Sequence, residues 1–215
     1  MIPIMLDPLF CPIALIGRDT LAVRRLSWLR ACGADPAVFS DQPSADLVEL
    51  AGAHRIPRLP DPAELTAFKA LWIADLPESA GHALADQARA LRVLVNVEDV
   101  LPVCDFHTPA VVRRGALTVA IGTGGASPAV AGAVRRRIDT ALPEAWGPAL
   151  AAITQARQAL KAQGADPGQL LADARRRLVA AGLIDPVTPA DHGSSGAAHS
   201  GQTSPPPADG GSPRG

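Results

Sequence analysis

Short apolar runs alternate with amphipathic segments of helical length through the first half of the chain. An apolar run at 12–16 precedes a segment, 21–31, whose apolar residues recur on one helical face. Further strand-length runs and one more helix-length segment follow in the sequence: 37–40, 71–75, 80–91 (the helical one), 93–97 and 117–122. Alternation of this kind predicts an α/β fold, a parallel sheet whose strands are joined by crossover helices.

The last third of the chain has a different pattern. From Pro143 onward two amphipathic helix patterns flank the turn sequence "GADPG" at 164–168, which predicts a helical hairpin appended to the α/β part. From Pro186 to Gly215 the chain consists mainly of Pro, Gly, Ser and Ala. Such a segment buries too little apolar surface to offset its ordering entropy, so we expect a disordered tail at 186–215.

Charge and cysteine content exclude several classes of protein. The 215 residues include 20 basic and 21 acidic side chains, a net charge of −1, which gives no electrostatic reason to expect nucleic-acid binding. Three cysteines without CxxC spacing favour a reduced, cytoplasmic protein. Asp7 and several prolines interrupt the apolar N-terminus, so we expect neither a signal peptide nor a membrane span.

Residues 95–139 carry the groups best suited to chemistry. A strand ends in Glu98 and Asp99, and open α/β sheets bind ligands at this carboxyl edge. Another strand leads into "GTGGASP", where Gly124 and Gly125 let backbone N–H groups approach an anion at the start of the next helix. From spacing alone, a tight strand–helix turn with solvated acids is an equally open interpretation.

The residue identities in this stretch are more specific than the spacing of its charged residues and glycines. "VNVEDVLPVCDFHTPAVVRRGALTVAIGTGGASPAVAGAVRRRI" closely resembles the bifunctional precorrin-2 dehydrogenase/sirohydrochlorin ferrochelatase family, the N-terminal half of many siroheme synthases. That family reads VNVVDDxxxCDFxxPAxxxRGxLxVAISTGGxSPxLAxxLRxxI. Weaker resemblance extends over about residues 10–182.

The resemblance implies a domain plan and an activity. It implies a Rossmann-like NAD-binding domain at 1–105, a dimerisation and tetrapyrrole-facing segment at 106–142 and a helical C-terminal domain at 143–185. In the family, NAD accepts a hydride from precorrin-2 to give sirohydrochlorin, and Fe²⁺ is then inserted as a substrate to give siroheme. By resemblance we expect a homodimer in which Asp99 serves both steps, as base and as an iron ligand.

The substrate-binding expectations follow from the charge of the tetrapyrroles. Because these macrocycles carry many carboxylates, they need cationic and N–H partners. The predicted substrate-binding residues are Arg113, Thr123, Gly124, Gly125 and Ser127. A run such as Arg135–Arg137 is usually a solvated helix face, the role we expect for at least two of its members. His107 is either an added iron ligand or a hydrogen-bonded structural residue.

The first strand–helix turn departs from the family pattern. "LIGRDTLAVRR" stands where the family has GGGxVAxRK, so Gly17 takes the first glycine position while Arg18 and Asp19 replace the next two. By resemblance the cofactor-binding residues are Gly17, Thr20, Leu21, Asp41 and Gln42. A side chain in place of the second glycine, together with the charge of Asp19, predicts weakened NAD binding, although Arg18 could pair with a phosphate.

Two further acids lie near the predicted cofactor. Asp41 stands at about the spacing of a ribose hydroxyl acceptor, and an Asx turn before Pro43 is an equally good interpretation. Asp75 replaces a residue that is usually Thr in the family. Three functions therefore stay open: both activities, metal insertion alone, or tetrapyrrole binding without catalysis. Asp99 argues against the last, because a protein that only binds tetrapyrroles has no need of a base at that position.

Overall fold

The computed structural model describes residues 1–186, and the predicted tail lies outside them except for Pro186. The chain divides into two compact units, Met1–Glu144 and a second that begins at Ala145. The predicted boundaries at 105, 142 and 185 stay predictions.

A five-stranded parallel sheet forms the centre of the first unit. Its strands, in the spatial order β3-β2-β1-β4-β5, are β1 (Ile13–Gly17), β2 (Ala37–Phe39), β3 (Arg55–Ile56), β4 (Ala70–Ala74) and β5 (Leu94–Val97). The helices between them are α1 (Thr20–Ala31), α2 (Ala45–Ala51), α3 (Pro62–Leu65) and α4 (Glu78–Ala90). The order reverses between β1 and β4, and such a switch point is where open α/β sheets bind ligands. The predicted α/β fold with a Rossmann-type sheet is confirmed.

Apolar side chains cover both faces of this sheet. Leu15 of β1 packs with Leu26 of α1 on one face, whereas Ile16 packs with Leu84 of α4 on the other. All five residues of β1 and of β4 are buried. A sheet that is covered on both faces requires strands that are apolar throughout. The uninterrupted apolar runs in the sequence are therefore explained by the two helical layers that cover the sheet.

Side chains of the following loop satisfy the free edge of β5. Asp105 accepts the Val95 N–H on Oδ2 (2.9 Å), while its own N–H donates to the Val95 carbonyl (2.8 Å). The Val97 N–H donates to Cys104 Sγ (3.3 Å), and the Cys104 thiol donates to the Val97 carbonyl (3.2 Å). The "CD" pair of the motif therefore acts as a short substitute strand that fixes the loop between β5 and residue 106.

The strand predicted at 117–122 lies outside the parallel sheet. It forms β7 (Leu117–Ile121), antiparallel to β6 (Ala110–Arg114), and its residues are half-buried or exposed rather than buried. The sequence pattern gave no sign of β6 as a strand partner. A two-residue turn that begins at Gly115, with φ 58°, joins the two.

Helix α5 (Pro128–Ala141) packs on this hairpin. The buried Arg114 of β6 binds Asp139 Oδ1 (3.0 Å) and the Leu142 carbonyl (2.9 Å), which holds the end of the helix against the strand. The second unit contains α6 (Trp146–Ala162) and α7 (Pro167–Ala180), which pack together as the predicted helical hairpin. Within residues 1–186 no helix has the length and apolar character needed to cross a membrane.

Candidate functional site

Asp99 lies in a tight turn directly after β5. The Val100 N–H donates to the Val97 carbonyl (3.2 Å), and Asp99 occupies the left-handed region with φ 62°. Aspartate tolerates this conformation better than most residues with a side chain. Its side chain is exposed, and within residues 1–186 it shows no side-chain hydrogen bond or ion pair. The turn therefore presents an uncommitted carboxylate at the carboxyl edge of the sheet.

Asp99 lines a cleft of about 420 Å³ that also contains three arginines. Arg24, Arg25 and Trp28 come from α1, and Arg135 comes from α5. Residues 108–111 at the start of β6 close another side. The cleft combines two carboxylates, Glu98 and Asp99, with three guanidinium groups and an indole ring, and this set suits an aromatic ligand that carries acidic groups.

The neighbouring Glu98 is committed to a partner. Arg25 binds its carboxylate, and both side chains are largely buried. The Arg25 guanidinium also lies 5.2 Å from the ring centroid of Trp28, a cation–π distance. Because Glu98 is neutralised in this way, Asp99 is the acid of the pair that remains available to a ligand.

None of the predicted substrate-binding residues is among the residues that line this cleft. Arg113 donates to the Ala31 carbonyl (3.1 Å) and to Cys32 Sγ (2.7 Å), so its guanidinium caps the end of α1. Thr123 Oγ1 accepts the Ser127 N–H (3.3 Å), and the Ser127 hydroxyl accepts the Val130 N–H (3.3 Å) as the N-cap of α5. Their substrate contacts stay predictions.

The glycine-rich turn has the backbone that its sequence requires. Gly124 and Gly125 have φ 64° and 86°, in the left-handed region where glycine carries no Cβ penalty. A Cβ on Gly125 would lie 3.2 Å from Cε1 of His107, so the turn packs against that ring. This contact favours the structural interpretation of His107. Within residues 1–186, no three His, Cys, Asp or Glu side chains form a metal cluster, and Asp99 as an iron ligand stays a prediction.

The turn between β1 and α1 has the close approach of a dinucleotide fold. A Cβ on Gly17 would lie 2.6 Å from Ala22 Cβ and 2.9 Å from the Ala74 carbonyl oxygen, distances that only glycine permits. The first N–H groups of α1 are therefore held near the carboxyl ends of β1 and β4. In this fold those groups bind the pyrophosphate of a dinucleotide.

An anionic oxygen already occupies these N–H groups. Asp75, which follows β4, accepts the Asp19 N–H (3.1 Å) and the Ala22 N–H (2.9 Å) on Oδ2. Asp19 is the N-cap residue of α1 but makes no capping bond with its own side chain. The start of α1 thus fits an anion, as a dinucleotide requires, and in this structure the anion is the carboxylate of Asp75.

The predicted ribose acceptor also has an internal partner. Arg18 donates from Nε and Nη2 to the two carboxylate oxygens of Asp41 at 2.8 and 2.7 Å. This hydrogen-bonded cation lowers the pKa of Asp41 below its ordinary value. Gln42 lies exposed beside it, and the Thr20 hydroxyl approaches Asp19 Oδ1 (3.4 Å). Arg18 therefore pairs with a carboxylate here, where the sequence suggested a phosphate.

Sequence reasoning did not select Arg24 or Trp28 as site residues, and it left open which member of the run Arg135–Arg137 faces a ligand. Leu21, Arg24 and Trp28 recur at helical spacing, so one face of α1 carries all three toward the Asp99 cleft. That period was readable in the sequence. The role of Arg135 could not be predicted, because its place in the cleft with Asp99 depends on how α5 packs. Arg136 and Arg137 are exposed, as expected of a solvated face.

The chain is similar in sequence to proteins of known family. Residues 4–110 match the model of a family of NAD(P)-binding proteins. A siroheme synthase of Thiobacillus denitrificans is 32% identical over 171 residues, which are 78% of this chain and 36% of the relative. One of Methylococcus capsulatus is 34% identical over 149 residues, 68% of this chain and 31% of that protein. The chain spans about a third of the length of these relatives.

Among solved structures, the fold is similar to that of "SirC, precorrin-2 dehydrogenase". The TM-score is 0.65 at 19% sequence identity, and the match covers 86% of this chain and all of that one. At this identity the likeness concerns the fold.

Proposed function

Because the chain belongs to the family formed by the N-terminal half of siroheme synthases, we propose that it oxidises precorrin-2 to sirohydrochlorin with NAD and inserts Fe²⁺ to give siroheme. The observation that carries the proposal is the cleft in which the uncommitted carboxylate of Asp99 lies among Arg24, Arg135 and Trp28. A polycarboxylate macrocycle matches these groups in charge and in aromatic character.

The arginines bind and orient the macrocycle. Arg24 and Arg135 approach the cleft from different helices, so they suit acidic side chains on different parts of one ring. Trp28 offers an apolar surface, and its neighbour Arg25 is held by Glu98 and by the indole ring. Binding energy from these peripheral groups would position the ring at Asp99.

Asp99 acts as the base. Oxidation of precorrin-2 removes a hydride and a proton; NAD, when bound, supplies the hydride acceptor, and the Asp99 carboxylate takes the proton. Insertion of Fe²⁺ displaces the pyrrole N–H protons, which the same carboxylate accepts in turn. One base therefore serves both reactions because each of them deprotonates the same macrocycle.

The residues proposed to hold NAD surround the β1–α1 turn. Gly17 permits close approach, Thr20 belongs to the first turn of α1, and Asp41 with Gln42 lies at the end of β2. Leu21 also lines the Asp99 cleft, so the proposed cofactor and substrate sites are neighbours.

Metal insertion alone is the second candidate function. It is favoured by one observation, the occupation of the first N–H groups of α1 by Asp75. The two functions separate in an anaerobic assay with precorrin-2, with and without NAD, followed by absorbance. Formation of sirohydrochlorin only with NAD supports the dehydrogenase. Iron insertion into supplied sirohydrochlorin, without any oxidation of precorrin-2, selects the second function.

Asp99→Asn tests the role of the base. Asparagine is nearly the same size and also tolerates a positive φ, so the turn is kept while the proton acceptor is lost. We expect the rates of both steps to fall by about 10²–10⁴-fold with an unchanged melting temperature. Asp86→Asn, an exposed acid on α4, is the matched control. Full activity in Asp99→Asn, or loss of its fold, would contradict the assignment.

We also propose a homodimer in a reducing compartment such as the cytoplasm. The β6–β7 hairpin and α5 form the segment that the family resemblance assigns to dimerisation, and Val130 and Val134 of α5 are exposed there. All three cysteines are unpaired, as a reducing compartment allows.

A further inference from the structure

We propose that Asp75 is an internal competitor for the dinucleotide, bound to the N–H groups that the pyrophosphate must reach, so that removing its carboxylate tightens NAD binding. This inference rests on the proposed function for the identity of the ligand. It concerns a residue that lies outside the set predicted to bind the cofactor.

The contacts of Asp75 are those of a helix cap supplied from another element. One carboxylate oxygen accepts the N–H of Asp19, the N-cap position, and of Ala22 in the first turn of α1. Helix N-termini are stabilised by such acceptors and by the negative charge itself. Since Asp19 does not cap its own helix, Asp75 takes over that task.

The position of Asp75 is built into the backbone. The residue has φ 55°, a left-handed conformation that side-chain-bearing residues adopt at a cost. It directly follows β4, whose Ala74 carbonyl lies against Gly17. The strand end, the glycine contact and the two hydrogen bonds together hold the carboxylate at the start of α1.

Asp75 and a pyrophosphate are mutually exclusive at this place. Both need the same N–H groups, and both are anions, so a phosphate close to the seated carboxylate would be repelled. Binding therefore requires Asp75 to leave. The apparent affinity is then the intrinsic affinity reduced by the fraction of molecules in which the N–H groups are exposed.

The pair of Arg18 and Asp41 does not compete in the same way. Arg18 occupies one side of each carboxylate oxygen, and an ionised carboxylate has further acceptor sites that can take ribose hydroxyls. The guanidinium thus orients Asp41 without using up its acceptor capacity. The competition is specific to Asp75.

Two substitutions separate the charge of Asp75 from its hydrogen bonds. Asp75→Asn keeps an acceptor oxygen and tolerates the positive φ but removes the charge, whereas Asp75→Gly removes both charge and acceptor and suits the backbone. Asp86→Asn is the control, since Asp86 is exposed on α4 away from α1. The full-length chain is used throughout, with NAD⁺ and ADP-ribose as probes in isothermal titration calorimetry.

We expect the Kd for both probes to fall about tenfold in Asp75→Gly and by a smaller factor in Asp75→Asn. Without nucleotide, Asp75→Gly should have a lower melting temperature and faster hydrogen exchange at the Ala22 amide, because α1 has lost its cap. Opposite effects on nucleotide affinity and on ligand-free stability are the signature of an internal competitor. The control should leave both quantities unchanged.

The outcomes separate this inference from the proposed function. Unchanged or weaker nucleotide binding in both Asp75 variants overturns the inference, whether or not the wild type oxidises precorrin-2. Absence of binding in every variant overturns it as well. Tighter binding in Asp75→Gly, without precorrin-2 oxidation by any form of the protein, supports the inference and contradicts the proposed dehydrogenase.

Discussion

Asp75 and Asp99 follow neighbouring strands of the sheet and share a left-handed backbone, with φ 55° and 62°. Their surroundings give them different tasks. Asp75 accepts two backbone N–H groups and is thereby fixed, whereas Asp99 stands exposed in a cleft with arginines. The strained backbone at Asp75 is tolerated where the fold uses the carboxylate, and at Asp99 it presents the carboxylate that we propose a ligand uses.

Cys104 shows how a residue inside a specific motif can have a purely structural role. Its thiol accepts the Val97 N–H and donates to the Val97 carbonyl, and burial raises the pKa of the thiol above its ordinary value. A raised pKa leaves less thiolate at pH 8, and the thiolate is the reactive form.

We therefore expect Cys104 in the native protein to react with iodoacetamide at pH 8 at least about tenfold more slowly than in the urea-unfolded chain. Peptide mapping by mass spectrometry at timed intervals measures the rate for each cysteine. Equal labelling of Cys104 in the native and unfolded protein would contradict both the burial and the bonding of its thiol.

At the scale of elements, the packing of α1 on the sheet depends on Gly17. A Cβ at this position would overlap Ala22 Cβ and the Ala74 carbonyl oxygen, and both belong to rigid elements. We expect Gly17→Ala to lower the free energy of unfolding by about 1–3 kcal/mol, as measured by urea denaturation.

Gly122→Ala is the matched control for this substitution. Among the described residues, nothing lies within 4 Å of a Cβ built at Gly122, and its φ is not in the left-handed region. Its unfolding free energy should stay within about 0.5 kcal/mol of the wild type. A Gly17→Ala variant as stable as this control would show that α1 can move away from β4.

The sequence predicted the parallel strands and long helices well because continuous apolar runs and helical periodicity report burial directly. It missed β3 (Arg55–Ile56), which is too short to form a pattern, and β6 (Ala110–Arg114), where arginines interrupt the apolar residues. It also placed 117–122 among buried strands, although β7, which packs with β6 and α5, has half-buried and exposed residues. Pairing partners and cover depend on the packing of distant segments, which no local period encodes.

In the candidate site, too, local sequence features were predictable and contacts between distant segments were not. Asp99 was predictable because the motif around it is specific, and the departure at Arg18 and Asp19 was visible in the letters. The contact between Asp75 and the start of α1 joins residues 53 positions apart, and the pair of Arg18 with Asp41 joins residues 23 apart. Such partners become evident only when the carboxyl ends of neighbouring strands are brought together.

At the scale of the whole molecule, we expect the proposed homodimer to depend on α5. Val130 and Val134 lie one helical turn apart and are 54% and 39% exposed. Replacing both by Asp should convert a dimer into a monomer in sedimentation velocity. The introduced carboxylates would lose their hydration in an apolar contact and gain no partner of opposite charge.

Val48→Asp on α2 is the control for this experiment, since Val48 is 40% exposed on a helix of the sheet domain. It should leave the sedimentation coefficient unchanged. A wild-type chain that sediments as a monomer, or a double variant that remains dimeric, would contradict the involvement of α5.

The loop that completes β5 also affects how this protein behaves when it is concentrated. Cys104 and Asp105 already use the outward-facing polar groups of Val95 and Val97, and at the opposite border of the sheet β3 is only two residues long. Neither border offers a ladder on which an extended segment of another molecule could pair. The same residues that hold the loop after Asp99 in place therefore protect the sheet from fibril-like stacking and from aggregation through its edges.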